Sequence, residues 1–240
     1  MSFSTRAKTV ANKGKLIITF INYVGDKKLK LDSANYTNLS GQSFTITNFK
    51  YYVGNFRLKR NDGTEYTSEE YFLIKEDDDK SKQITLDDVP VGTYSSIEFI
   101  VGVDSIHNCS GAQSGALDPA NGMFWTWNTG YIFMKLEGKS PASNSPGHIF
   151  EFHIGGYKAP ANCIRKVTLN LNDRISFKQN PDYLYINVDA SEVMKTPTTI
   201  DLSKLSSVTD FRNATTIADN YADMFRLPSL IQYVPINKLK

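Results

Sequence analysis

The side chains best suited to bind a transition metal are concentrated between Gly102 and Gly156. This stretch contains all three histidines and both tryptophans of the chain, one of its two cysteines and two of its five methionines. Imidazole, thioether and thiolate groups are the ligands that copper prefers in proteins. No two histidines are spaced two or four residues apart, so a copper site has to be assembled across strands. The candidate copper ligands are His107, His148, His153, Met123 and Met134.

His153 is the principal candidate because of its place in a predicted strand, HIFEFHIGG. Side chains alternate between the two faces of a strand, so His153 is expected on the face opposite to Phe152 and Ile154. The two glycines that follow, Gly155 and Gly156, allow other parts of the chain to approach closely. The alternative for each histidine is a surface or hydrogen-bonded position with no metal.

Trp125 and Trp127 are two residues apart and share one face if their segment is extended. Three interpretations remain open. The indoles belong to an aromatic core cluster, they stack on a ligand such as a sugar, or they border a metal, where an oxidised tryptophan can become a ligand. They lie in a long loop, residues 108–131, that begins with a segment rich in glycine, serine and asparagine, and long loops in compact domains are often functional.

The two cysteines, Cys109 and Cys163, flank this region without CxxC spacing, which argues against a zinc ribbon or a thioredoxin motif. We expect them to form a disulfide bond. Closing a loop of roughly 50 residues contributes about 4 kcal/mol in the chain-entropy model and indicates an oxidising compartment. Two free thiols are the alternative.

Several functional classes are not supported by the sequence. It contains no GxSxG, HExxH, P-loop or strand-associated GxGxxG motif, so we predict a protein that is not an enzyme. A net charge of +2, from 27 basic and 25 acidic residues spread along the chain, argues against nucleic acid as a partner. No apolar run approaches the roughly 20 residues that a transmembrane helix needs.

The pattern of short apolar segments predicts an all-β fold, a sandwich or barrel-like antiparallel domain. Strands are expected at KLIITFIN, beginning at Lys15, and along FTITNFKYYVGNFRLKR, where the turn at residues 61–63 starts a hairpin. One short C-terminal helix is predicted over Thr216–Leu227, with Thr216 and Asp219 forming a capping box. Residues 15–227 are expected to form one domain, after a flexible N-terminus (1–14) and before a C-terminal tail (228–240).

Several segments resemble the MbnP-like family. They are NFKYYVGNFRL, LDDVPVGTYSSIEFIVGVDS, SGALDPANGMFWTWNTGYIFMKLEG, FHIGG and IADNYADMF. The resemblance implies a secreted β-sandwich-like domain related to copper-binding proteins that are encoded with methanobactin systems and that are common as exported lipoproteins of Bacteroidetes. Relatives bind copper through histidines, in some cases beside a tryptophan oxidised to kynurenine. This implies His153 as a ligand and Trp125 or Trp127 as the oxidisable indole.

The resemblance has one departure. Many relatives have a histidine-rich C-terminal tail, whereas this chain continues RLPSLIQYVPINKLK.

From the resemblance we expect a protein exported to the periplasm or cell surface, lipid-anchored in its precursor, that captures or handles copper. Its expected partners are the metal ion and an outer-membrane or periplasmic protein. The alternative is a surface recognition module that binds a glycan or a partner protein through the aromatic-rich loop 108–131.

Overall fold

The computed structural model describes residues 12–125, 130–177 and 181–228. Fourteen strands of these residues form two sheets. The strands are β1 (Lys13–Val24), β2 (Lys27–Lys28), β3 (Tyr36–Thr37), β4 (Ser43–Arg60), β5 (Glu65–Lys75), β6 (Gln83–Pro90), β7 (Gly92–Val101), β8 (Phe124–Trp125), β9 (Gly130–Lys139), β10 (Ile149–Gly155), β11 (Arg165–Phe177), β12 (Asp182–Asp189), β13 (Ser207–Val208) and β14 (Phe225–Arg226).

A five-stranded sheet has the order β14-β12-β1-β2, with β6 also paired to β1. A nine-stranded sheet has the order β11-β7-β4-β9-β10-β13, with β3 and β5 paired to β4 and β8 paired to β9. The sheets pack face to face, since the ring of Phe20 in β1 meets Tyr51 and Phe99 of the other sheet edge-on at 6.3 and 6.2 Å. The predicted all-β, sandwich-like fold is confirmed.

Two pairings differ from the antiparallel expectation. β1 pairs with β12 in parallel, and so does β10 with β13. β1 ends at Val24 and β12 begins at Asp182, so no tight hairpin joins this pair and the strands can run parallel.

The C-terminal helix is shorter than predicted and starts earlier. Besides α1 (Ser105–Cys109), the structure has α2 (Ala214–Tyr221), which is followed by a 3-10 turn, Ala222–Met224. The predicted capping box is wrong. Asn213 occupies the N-cap position without a side-chain cap, and Asp219 instead pairs with Arg165 at 2.7 Å. Within the described ranges, no helix has the length and apolar character needed to cross a membrane.

Candidate metal site on the outer face of the large sheet

The antiparallel pair β9–β10 positions His153 on the outer face of the nine-stranded sheet. Phe150, Phe152 and Ile154 are fully buried in the core, whereas the His153 side chain retains 17% exposure. The predicted alternation along β10 is therefore confirmed. In the register of the pair, His153 lies directly opposite Lys135.

Glu137 of β9 holds the His153 ring. The His153 Nε2 atom lies 2.6 Å from Glu137 Oε1, and Asn48 Nδ2 donates to Glu137 Oε2 at 3.0 Å. The hydrogen bond from His153 outweighs partial burial and, with that from Asn48, lowers the pKa of Glu137 to about 2. Glu137 is therefore ionised at neutral pH. A carboxylate on one ring nitrogen fixes the orientation of an imidazole, as is common for metal-binding histidines, and leaves Nδ1 as the ring nitrogen available to a metal.

Trp125 lies over the same strand. A Cβ atom at Gly155 would lie 2.7 Å from Trp125 Cζ3, so the indole packs directly on the glycine backbone. Gly155 follows His153 by two residues, about 7 Å along β10, and the register with β9 shifts between Ile154 and Gly155. The close approach expected at the two glycines is present, because at Gly156 the neighbouring group is the Ala161 carbonyl.

The segment that precedes Trp125 is anchored to the same face. Lys135, the residue opposite His153, donates from Nζ to the Gly122 carbonyl at 2.9 Å. The Met123 carbonyl accepts from the Ile132 amide at 2.9 Å. The Met123 side chain is fully buried in the core, as is that of Met134, which lies opposite Ile154 on the inner face. Neither thioether is exposed to a metal arriving from solvent.

His107 belongs to a second imidazole–carboxylate pair. Asp104 caps α1 by accepting from the His107 amide, and its Oδ1 atom lies 2.9 Å from His107 Nδ1. Partial burial raises the pKa of Asp104, but hydrogen bonds from the His107 amide and ring, and from Asn55 and Tyr71, outweigh it and bring the pKa to about 2. The His107 ring also packs on Tyr71, with centroids 4.7 Å apart.

Asn108 connects α1 to the start of β9. Its Nδ2 atom donates to the Val103 and Asp104 carbonyls at 2.5 and 2.9 Å, and its Oδ1 atom accepts from the Tyr131 amide at 3.0 Å. The loop that follows is more regular than predicted, with 3-10 turns at Gly115–Leu117 and Pro119–Asn121. In this loop, Asn121 Nδ2 donates to the Gly115 and Ala116 carbonyls from a half-buried position.

His148 lies at the opposite end of β10 from Gly155. Its side chain is exposed, and its Nδ1 atom lies 2.9 Å from the Ser143 carbonyl. His107, His148 and His153 thus have three different local partners. Among the residues that the structure describes, no three His, Cys, Asp or Glu side chains are grouped so that they could hold a metal ion. A copper ion bound at any of these rings would therefore have a single imidazole ligand.

The predicted disulfide is not formed in the structure, where both cysteines are free. The Cys109 thiol is exposed and lies 3.4 Å from the Tyr157 hydroxyl. The Cys163 thiol is buried below the surface, and burial raises its pKa to about 12. The pairing fails because one side chain points outward and the other belongs to the core.

Of the two tryptophans, the structure describes only Trp125, and Trp127 lies outside the described residues, as do 1–11 and 229–240. Trp125 is 6% exposed and packs edge-on to Phe211 at 6.3 Å. It is therefore a packed residue against the end of β10 and not an open stacking platform.

Sequence reasoning missed the two carboxylates that orient the histidines. Asp104 carries a local signal, since aspartate is a favoured N-cap residue and Asp104 directly precedes α1. Glu137 has none, because it lies 16 residues from His153 and meets it only across the strand pair.

These features define an all-β sandwich with two surface imidazole–carboxylate pairs. The chain belongs to the MbnP family, since the family model for MbnP matches residues 13–212. It is also similar in fold to MbnP from Methylosinus trichosporium, with a TM-score of 0.52 and 16% identity over 79% of each chain. No curated protein sequence gives a significant match.

Proposed function

We propose that this protein captures or handles copper without catalysing a reaction, and that His153 is the principal ligand. The observation that carries the proposal is the position of Trp125 over Gly155, two residues from His153, in a chain of the MbnP family. The resemblance implies a copper-binding imidazole beside an indole, and the packing of Trp125 on the strand that carries His153 supports this assignment. Export to the periplasm or cell surface, a lipid anchor and a partner protein there remain part of the same proposal.

The chemistry at His153 supports exchangeable binding. Copper would bind the Nδ1 atom, because Nε2 lies on the ionised Glu137. The negative charge of Glu137 offsets part of the positive charge that a bound copper ion adds to this face. A single imidazole holds copper more weakly than a full ligand set, which suits a protein that passes its metal on.

Titration of the full chain with Cu(I) and Cu(II) tests the proposal, with tryptophan fluorescence and the visible ligand-field band of Cu(II) as readouts. We expect His153→Ala to lose most of the affinity and Glu137→Gln to lower it about tenfold, the usual effect of removing a carboxylate that orients a ligand. His148→Asn, at the other end of β10, is the control because asparagine tolerates the left-handed backbone there, and it should bind as wild type does. Equal affinity in wild type and His153→Ala would refute the ligand assignment. A wild-type protein that ignores copper would refute the function.

A further inference from the structure

A second site lies away from the copper candidate, where the connection between β9 and β10 meets the start of β4. The structure contains a cavity of about 430 Å³ there. This volume is within the range of small-molecule binding sites. The cavity is lined by Asn35, Ser43, Phe44, Thr45, Lys139, Ser140, Pro141, Gly147 and His148.

The wall made by residues 139–148 is held rigidly. Ser140 Oγ donates to the Ser43 carbonyl at 2.7 Å and Ser143 Oγ donates to the Ile149 carbonyl at 2.6 Å, and both serines are buried. The Ser140 amide also donates to the His148 carbonyl at 2.8 Å. These bonds tie the loop to β4 and to its own far end. A ligand that enters this cavity meets a surface that is already ordered, which lowers the entropic cost of binding.

His148 is fixed at the rim in an uncommon conformation. Its φ angle of 55° lies in the left-handed region, which residues other than glycine rarely adopt and which is often found at functional sites. The contact between its Nδ1 atom and the Ser143 carbonyl orients the ring and makes Nδ1 the hydrogen-bond donor. The Nε2 atom makes no hydrogen bond to any described residue.

The charge of the cavity favours an anion. Lys139 is exposed, and within the described ranges its ammonium group has no hydrogen bond or ion pair. The Asn35 side-chain amide likewise makes no hydrogen bond to any described residue. None of the nine lining residues is acidic, whereas Phe44 and Pro141 add apolar surface. A lysine and an amide without competing partners form charge-assisted and neutral hydrogen bonds with carboxylate or phosphate oxygens.

We propose that this cavity binds a small anionic ligand, with one carboxylate or phosphate group held by Lys139, Asn35 and His148 and a short apolar portion against Phe44 and Pro141. The site is independent of copper. It gives the protein a second binding function on the edge of the sandwich opposite to the Trp125 end of β10.

Nuclear magnetic resonance titration of the metal-free full chain tests this, with butyrate as the carboxylate probe and inorganic phosphate as the phosphate probe. We expect saturable shifts of backbone signals in residues 139–148 and 43–45 with one or both probes. Lys139→Ala should weaken that binding at least tenfold, because a charge-assisted hydrogen bond is lost. Lys59→Ala removes another exposed lysine and serves as the matched control. His148→Asn keeps a residue that tolerates the left-handed region while withdrawing the imidazole, and it should also weaken binding.

The two probes separate the source of the anionic group, since saturation by butyrate alone assigns a carboxylate and saturation by phosphate alone assigns a phosphate. Absence of saturable shifts with both probes up to about 10 mM, well above a millimolar dissociation constant, overturns the proposal. Equal affinities of Lys139→Ala and Lys59→Ala overturn it as well. A chelator is present throughout, so neither result depends on copper binding.

Discussion

The contact between Gly155 and Trp125 gives the sharpest test of the architecture around His153. In Gly155→Ala, the new Cβ atom would lie 2.7 Å from Trp125 Cζ3 and would also meet the Tyr131 carbonyl oxygen. The ring can rotate away only by disturbing its edge-on contact with Phe211, and the carbonyl belongs to the backbone of β9. The substitution therefore overpacks a site whose nearest neighbour is fixed backbone.

Overpacking by a single methyl group in a well-packed site costs about 1–3 kcal/mol in the free energy of unfolding. In a chain of 240 residues, 1 kcal/mol corresponds to roughly 2–4 °C in Tm, so a cost of about 2 kcal/mol lowers Tm by about 4–8 °C. The same displacement moves the indole away from β10, the strand that carries His153. We therefore also expect weaker quenching of tryptophan fluorescence by copper.

Thermal denaturation followed by circular dichroism measures the effect. Gly14→Ala is the matched control, since Gly14 also lies in a strand and a Cβ atom there has no neighbour within 4 Å. Its Tm should stay within about 2 °C of wild type, corresponding to less than 0.5 kcal/mol. If Gly155→Ala has the same Tm as wild type and Gly14→Ala, the close packing of Trp125 on β10 is wrong.

Three further predictions follow from the structure. The folded-state pKa of Glu137, about 2, lies below its ordinary value of 4.5, so its contribution to stability is present above about pH 4.5 and is lost as the pH falls towards 2. We expect Glu137→Gln to cost about 1–2 kcal/mol at pH 7, after allowance for solvent screening, and the difference from wild type to shrink over that range in denaturant titrations. Native protein should expose one reactive thiol, Cys109, to a colorimetric thiol reagent and release Cys163 only on unfolding, because Cys163 is buried with its pKa raised to about 12. Asn108→Ala should lower the free energy of unfolding by about 2–4 kcal/mol, since it removes the side-chain partner of the Val103 carbonyl and of the Tyr131 amide. Asn121→Ala should cost less than about 1 kcal/mol, because the Gly115 and Ala116 carbonyls that it contacts each keep another donor.

Each of these three predictions would be contradicted by a specific result. A stability difference for Glu137→Gln that does not change between pH 4.5 and 2 would show that the carboxylate is not held by His153. If the native protein has no reactive thiol and shows two after reduction and unfolding, Cys109 and Cys163 form the disulfide predicted from the sequence. Equal losses for Asn108→Ala and Asn121→Ala would contradict the anchoring role of Asn108.

Much of the fold was predictable because it depends on local patterns. The continuous β-branched run near Lys15 became β1, and the alternation along HIFEFHIGG placed His153 outside and Phe152 inside as expected. The C-terminal helix was located by its spacing of apolar residues, but its bounds were wrong. Met224 and Phe225 fit a helical pattern, yet the helix ends at Tyr221 and Phe225 pairs with β12 instead. A tertiary pairing replaced the last helical turn.

The sequence by itself determined the all-β class, the family resemblance and the face on which His153 lies, because side-chain alternation is a property of each strand alone. The tertiary structure decided which groups meet. The β9–β10 register brings Glu137 to His153, and the return of β8 along β9 sets Trp125 on Gly155. The tertiary structure also separated Cys109 from Cys163 and formed the open pocket beside Lys139. Such contacts join residues far apart in the chain, and their partners are fixed by strand register and bulges, which no short sequence pattern encodes.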